Sequence, residues 1–261
     1  MLKQLLAKLG SGGAMVDTRL DQSVVYPGGM VTGTVHLAGG EVPQEANHVS
    51  VALRARVEVE SGDNEHAQHL EFNRVRIASA FRLEPRQRYA LSFQLPVPWE
   101  MPVTLIHGTP LRGMQVLGVA TELDIASSLD ATDIDPIAVH ALPSQQAILD
   151  AFVHLGFWFK RADLERGHIR GAAQRLPFYQ EIEFAPGPQW MGRVNEVEVT
   201  FITDPHGMEV ILELDKRRFL GSTDAFLRFH VPHQTATQRN WPAELGQMLQ
   251  RMLSGGGYFF G

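Results

Sequence analysis

The sequence predicts a mainly β protein: two antiparallel β-sandwich domains carrying short peripheral helices. Three observations lead there. Apolar and polar residues alternate with a period of two in both halves of the chain. Turn signals separate the alternating runs at short intervals. Gly 24 and Pro 15 in 261 residues supply the turns such a fold needs. The composition, 44% hydrophobic and 20% charged, builds a sizeable core and fits neither disorder nor coiled-coil repeats.

The clearest strand starts at Val49. Val49, Val51, Leu53, Ala55, Val57 and Val59 interleave with Ser50, Ala52, Arg54, Arg56, Glu58 and Glu60, so a strand buries the first set and wets the second. The rhythm recurs at Val31, Val35 and Leu37, at Val75, Ile77, Phe81 and Leu83, and at Tyr89, Leu91, Phe93 and Leu95. Pro27-Gly28-Gly29, Gly39-Gly40, Gly62-Asp63-Asn64 and Glu84-Pro85 lie between these runs as turns. Around Asn73 the phase slips from Leu70 and Phe72 to Val75 and Ile77, which predicts a bulge.

Leu142-Pro143 marks a change of character. Ser144 is a candidate N-cap, Ile148, Phe152 and Leu155 share one helical face, and Gly156 is the stop. Alternation then returns at Phe178–Phe184, Val197–Phe201, Met208–Leu214 and Leu227–Val231, with Asp204-Pro205-His206-Gly207 closing a hairpin. Pro242, Leu245, Met248, Leu249 and Met252 predict a final helix. The expected division is 1–142 for the first sandwich, preceded by a short amphipathic helix, 143–235 for the second with its entry helix, and 236–261 for the last helix and an aromatic tail.

Composition also removes function classes. A formal net charge of −6 gives no field for DNA or RNA, so no nucleic-acid partner is expected. Cys 0 excludes disulfides, thiolate metal sites and cysteine nucleophiles. Lys3, Gln4 and Lys8 interrupt the first apolar stretch, which is not a secretion signal; Leu2, Leu5, Leu6 and Leu9 make it an amphipathic helix suited at most to weak peripheral membrane contact. The chain reads as cytoplasmic.

No strong catalytic motif is present: G-x-S-x-G, P-loop, G-x-G-x-x-G and H-E-x-x-H are all missing. His66 with His69, and His230 with His233, are too few for a zinc site and read as solvated histidines. Asp130, Asp133 and Asp135 lack the EF-hand spacing and read as an acidic loop. Glu196, Glu198, Glu209 and Glu213 offer paired carboxylates, yet the wet face of a half-buried sheet explains them. No catalytic, cofactor or metal residue is therefore assigned. The candidate partner-binding residues are the stripe Leu245, Met248, Leu249 and Met252 and the basic run Lys216, Arg217 and Arg218. That stripe has two fates, packing on its own sandwich or docking a partner. Tyr258, Phe259 and Phe260 behind their glycines pose the same choice.

The order of segments carries a resemblance. Val16-Asp17-Thr18, Pro27-Gly28-Gly29, Val31-Thr32-Gly33-Thr34-Val35 and Val57-Glu58-Val59-Glu60 are followed by Phe93-Gln94-Leu95-Pro96, Leu123-Asp124-Ile125 and Leu155-Gly156-Phe157. Arg175-Leu176-Pro177-Phe178, Gln180-Glu181-Ile182-Glu183-Phe184 and Leu214-Asp215-Lys216-Arg217-Arg218 complete the set. Over roughly residues 2 to 230 the chain resembles the sporulation-control SpoOM family, bacterial proteins similar to arrestins. The resemblance implies two arrestin-like sandwiches and a regulatory or scaffolding role without catalysis. The expected partner is a protein, a second copy of the chain included. The alternative is a carbohydrate- or small-ligand-binding sandwich with weak hydrolase activity, for which Trp99, Trp158 and Trp190 are the candidate aromatics.

Overall fold

The computed structural model describes residues 13–61, 64–114, 117–126, 130–218 and 221–255. The helix expected near residues 2–9, the aromatics at 258–260, and the side chains of Arg217 and Arg218 lie outside what is described.

Alternation in the first half becomes strands where expected. β1 (Met15–Leu20), β3 (Met30–Ala38) and β7 (Arg88–Pro96) form an antiparallel three-stranded sheet, and β2 (Val24–Val25) pairs separately with β12 (Ala138–Val139). β4 (Gln44–Ser61) carries β5 (Asn64–Ala78) and β6 (Phe81–Leu83) along one edge. Its other edge takes β10 (Gly118–Ile125), which in turn pairs with β11 (Ala131–Pro136). β8 (Leu105–Ile106) and β9 (Thr109–Pro110) make a small ribbon. The expected bulge is present: Val51 faces Val75 while Leu53 faces Phe72, and Asn73 takes a φ of 52° between them.

The two sheets of this half face each other. Val31, Val35, Phe93 and Leu95 of the small sheet share a core with Val49, Val51, Leu53, Val57, Val119 and Leu123 of the large one. A buried polar contact crosses between them, a 2.7 Å hydrogen bond joining the Thr18 and Thr121 hydroxyls. Satisfying each hydroxyl with the other lets two threonines sit in an apolar layer at small cost.

α1 (Pro143–His154) begins two residues earlier than the Ser144 cap implies, with Leu142 as the cap. Pro143 occupies the first turn and the Gln145 side chain accepts from the Leu142 N–H at 2.9 Å. Ser144 instead bonds His233 Nδ1 at 2.8 Å. Gly156 ends the helix as expected, at a φ of 79°.

β13 (Trp158–Arg166), β14 (Phe178–Ala185), β15 (Val194–Thr203), β16 (Gly207–Arg218) and β17 (Gly221–Pro232) then run as an antiparallel meander. β13 touches β4 in parallel at Glu165 and Glu58, so the meander continues the large sheet to ten strands. The β15–β16 hairpin closes as read: Asp204 Oδ1 accepts from the N–H groups of His206 and Gly207 at 2.7 and 3.0 Å.

The layer against this meander is helical. Among the described residues the second half contributes no further sheet. Ile182, Phe184, Val197, Val199, Val210, Leu212 and Leu214 pack on Ile148, Leu149 and Phe152 of α1. After a short α2 (His233–Ala236), Trp241, Leu245, Leu249 and Met252 of α3 (Trp241–Leu253) complete that core. The physical reason is that helices α1 and α3 bring enough large apolar side chains to cover five strands, so a second sheet is not needed. β13 and β14 bridge the two cores, with Ala162, Ile182 and Phe184 in the second and Leu164 and Phe178 in the first.

Candidate functional site

Helices cover one face of the β13–β17 meander; the other face is concave and acidic. Alternation and register place Asp163 and Glu165 on β13, Tyr179, Glu181 and Glu183 on β14, and Glu196, Glu198 and Thr200 on β15 of this face. Ile211, Glu213 and Asp215 of β16 and Asp224, Phe226 and Arg228 of β17 complete it. Glu183, Glu198, Glu213 and Phe226 form one cross-strand row, because each is the register partner of the next. Of the residues on this face, Tyr179, Glu181, Glu198, Thr200, Ile211, Glu213, Phe226 and Arg228 line a cavity of 530 Å³ together with Ile169 and Arg170 of the loop after β13.

Lys160, Arg161 and Arg228 are already paired on this face, while Arg170 lines the pocket from the loop. A register shift between Phe159 and Arg161 bulges β13 at Lys160, which turns two consecutive basic residues toward one carboxylate. Lys160 Nζ lies 2.7 Å from Glu183 and bonds Glu196 as well, while Arg161 Nε donates to Glu183 at 2.6 Å. Those hydrogen bonds hold the Lys160 ammonium above its ordinary pKa. Glu183 can therefore be buried, at 2% exposure, between two cations. Arg161 also reaches Asp163 at 3.3 Å, and Arg228 lies 3.2 Å from Glu209.

Glu181, Glu198 and Glu213 receive none of this. The ion pairs of Lys160, Arg161 and Arg228 go to Glu183, Glu196, Asp163 and Glu209 rather than to these three. Burial pushes the Glu181 carboxyl up to about 8, with Glu198, Asp163, Glu165 and Glu213 adding repulsion. Burial likewise raises Glu198 to about 7, helped by Glu213 and Glu196, and Glu213 to about 7, helped by Asp224 and Asp215. Three half-buried carboxyls held near neutrality beside Tyr179, Ile211 and Phe226 suit a ligand with an apolar stem and a positive head. Of the two hydroxyl residues in the pocket, Tyr179 and Thr200, Thr200 donates to the Gln180 carbonyl at 3.0 Å. A second acidic group lies at the β4–β13 junction, where oxygens of Glu58, Asp163 and Glu165 come within 4.8 Å of one another. Arg56 and Arg161 approach it, at 3.7 Å from Glu58 and 3.3 Å from Asp163.

The residues singled out from sequence meet different fates. Leu245, Leu249 and Met252 are buried in the chain's own core and Met248 is packed against it. Self-packing is thus what the structure gives Leu245, Leu249 and Met252, while Met248 stays partly exposed. Lys216 is half-buried at the end of β16, on the face opposite Glu213 and Asp215. His233 is a structural tie: Nε2 donates to the Asp204 carbonyl at 2.8 Å, so Nδ1 accepts from Ser144. Asp133 and Asp135 are on the edge strand β11 rather than in a loop, and Asp133 accepts from the Thr18 N–H at 2.7 Å. The tryptophans do not build a concave platform. Trp190 is buried with its indole donating to the Leu155 carbonyl at 2.7 Å, and Trp99 stacks on His233, leaving only Trp158 exposed.

Glu198 and Glu213 were visible in the sequence as the wet side of two strands; Glu181 was visible too, but only as the polar phase of β14. Alternation says which face a residue takes. It does not say which residue faces it across the sheet, and the pocket is a product of that register.

Fold and pocket define a mainly β protein with an uncompensated acidic concavity on one sheet. The SpoOM protein family matches residues 2–218, and the chain belongs to that family. The sporulation-control protein spo0M of Bacillus subtilis (strain 168) is 33% identical over 216 residues, covering 82% of this chain and 80% of that protein. The crystal structure of Spo0M, sporulation control protein, from Bacillus subtilis matches with a TM-score of 0.78 at 28% identity, over 95% of this chain and 99% of that one. The family resemblance carried by the segment order is borne out.

Proposed function

We propose that this chain is a non-enzymatic cytoplasmic regulator that acts by gripping a positively charged segment of a protein partner in the acidic pocket. The observation that carries this reading is the unequal treatment of the carboxylates. Glu183 is neutralised from within, whereas Glu181, Glu198 and Glu213 are left for a charge from outside. A lysine or arginine entering the pocket replaces mutual carboxylate repulsion with charge-assisted hydrogen bonds. The pocket's apolar walls accept the methylene stem. The relative named for sporulation control supports regulation as the wider role. No helix among the described residues is long and apolar enough to cross a membrane.

The test is chemical cross-linking in the native cytoplasm followed by affinity capture, with the wild-type chain and a Glu181→Gln/Glu198→Gln/Glu213→Gln variant in parallel. The expected outcome is a partner captured through a basic segment by the wild type and depleted at least tenfold by the variant. Equal capture of the same proteins by both chains would remove the pocket from the function.

A further inference from the structure

We infer that the partner's basic segment docks as an added β-strand on the free edge of β17, its basic side chains recurring at every second residue. This rests on the pocket reading above and extends it to the conformation and register of the bound segment.

β17 is the last strand of the ten-stranded sheet. The direction of its backbone groups follows from one close approach. A Cβ built on Gly207 would lie 2.6 Å from the Val231 carbonyl oxygen, so that carbonyl points toward β16. In an antiparallel pair the direction alternates along the strand. Ala225, Leu227 and Phe229 therefore turn their N–H and C=O groups to β16, and Asp224, Phe226, Arg228 and His230 turn theirs away. No backbone bond among the described residues takes these outward groups.

Sheet edges are ordinarily protected by shortness, bulges, proline, charged side chains or a covering element, and of these the middle of β17 has only the charges of Asp224 and Arg228 beside Phe226. The opposite end of the sheet shows such protection: β11 is six residues long, ends at Pro136 and is tied to β1 through Asp133 and Thr18. β17 pairs with β16 over twelve residues without a register shift, and its proline comes only at 232. Phe226, 45% exposed, stands in the middle of the outward set.

Charge decides which strand this edge accepts. The outward residues have their side chains on the acidic face, in register with the pocket: Glu198, Glu213 and Phe226 are consecutive in one row. An added strand lies about 4.8 Å beyond β17, so a lysine opposite Phe226 reaches across the ring toward Glu213. Asp224 adds a second carboxylate on the edge itself. Arg228 repels a cation at the next outward position, so a neutral residue fits there. A second copy of the chain would set another Glu198–Glu213 row beside the first, and the like charges disfavour that occupant.

The experiment measures binding of a capped nine-residue peptide of alternating lysine and valine to the full chain, by calorimetry and amide hydrogen exchange. A second peptide has the same side chains but N-methyl groups on alternate backbone amides, made in both phases. We expect the plain peptide to slow exchange at Phe226 and Arg228 at least tenfold. One N-methylated phase binds at least tenfold more weakly, and so does the plain peptide on a Glu198→Gln/Glu213→Gln variant. If both N-methylated phases bind like the plain peptide and exchange at β17 is unchanged, the strand addition is overturned and the pocket reading stands. If the Gln variant binds as tightly as the wild type, the pocket reading itself fails. Slow exchange at Phe226 without peptide, together with a doubled mass in light scattering, would give the edge to a second copy and overturn the inference.

Discussion

Glu181 and Glu183 are two residues apart on one face of β14, and their surroundings treat them oppositely. Glu183 meets Lys160 and Arg161 because a single-residue bulge brings both cations to it; Glu181 meets other carboxylates. Stability should follow from that difference. A carboxyl whose folded pKa is raised binds its proton more tightly in the native state than in the unfolded chain. It contributes stability at pH below about 4.5, and this is lost as pH rises through the folded value of about 8. Glu181→Gln is therefore expected to be neutral at pH 5 and to raise stability at pH 8.5, by about 1 kcal/mol after discounting residual solvent screening. Thermal melts of both chains at the two pH values check it. Removing a fully buried side chain works the other way. Leu249 has 0% exposure, so Leu249→Ala should cost about 2–5 kcal/mol in a urea titration at either pH.

The helix α3 shows how an element with a partner-like sequence can be structural. Its apolar stripe, with Trp241 at its head, closes the second core against α1 and the meander. A chain ending at Arg239 loses four large buried side chains, each contributing about 1.5–3 kcal/mol by burial, so its melting temperature should fall by well over ten degrees. An unchanged melt would mean that α3 contributes nothing to the core. Strands and helix ends were legible from sequence because they depend on local signals: alternation from Val49, the slip at Asn73, the stop at Gly156, the turn at Asp204. Cap chemistry was less so, since Ser144 is diverted to His233, which lies 89 positions away. The second layer over the meander was not legible either. Alternation shows that a sheet buries one face and is silent on whether a sheet or a helix covers it.

At the level of the whole molecule, two cores share one sheet. β4 carries the first half and meets β13 at its far end, while β13 and β14 each place side chains in both cores. This continuity predicts one cooperative unfolding transition, with far-ultraviolet circular dichroism dominated by strand and coincident with tryptophan fluorescence. Two separated transitions would show that the halves fold independently. The pocket depends on the same continuity, because its walls come from four consecutive strands whose register is fixed by the core beneath. Electrostatic strain is affordable there: the face is held open by packing on the other side, so the carboxylates need not be neutralised to keep the fold.

That strain is directly observable. Carboxyl carbon NMR titration of the full chain, with Glu181, Glu198 and Glu213 assigned by single Gln variants, reads each protonation separately. Glu181 should titrate at about 8 and Glu198 and Glu213 at about 7. All three should shift toward the ordinary carboxylate range when a lysine-rich peptide is added, because a bound cation favours their ionised forms. Three titrations near 4.5 that do not move with the peptide would contradict both the uncompensated pocket and the role assigned to it.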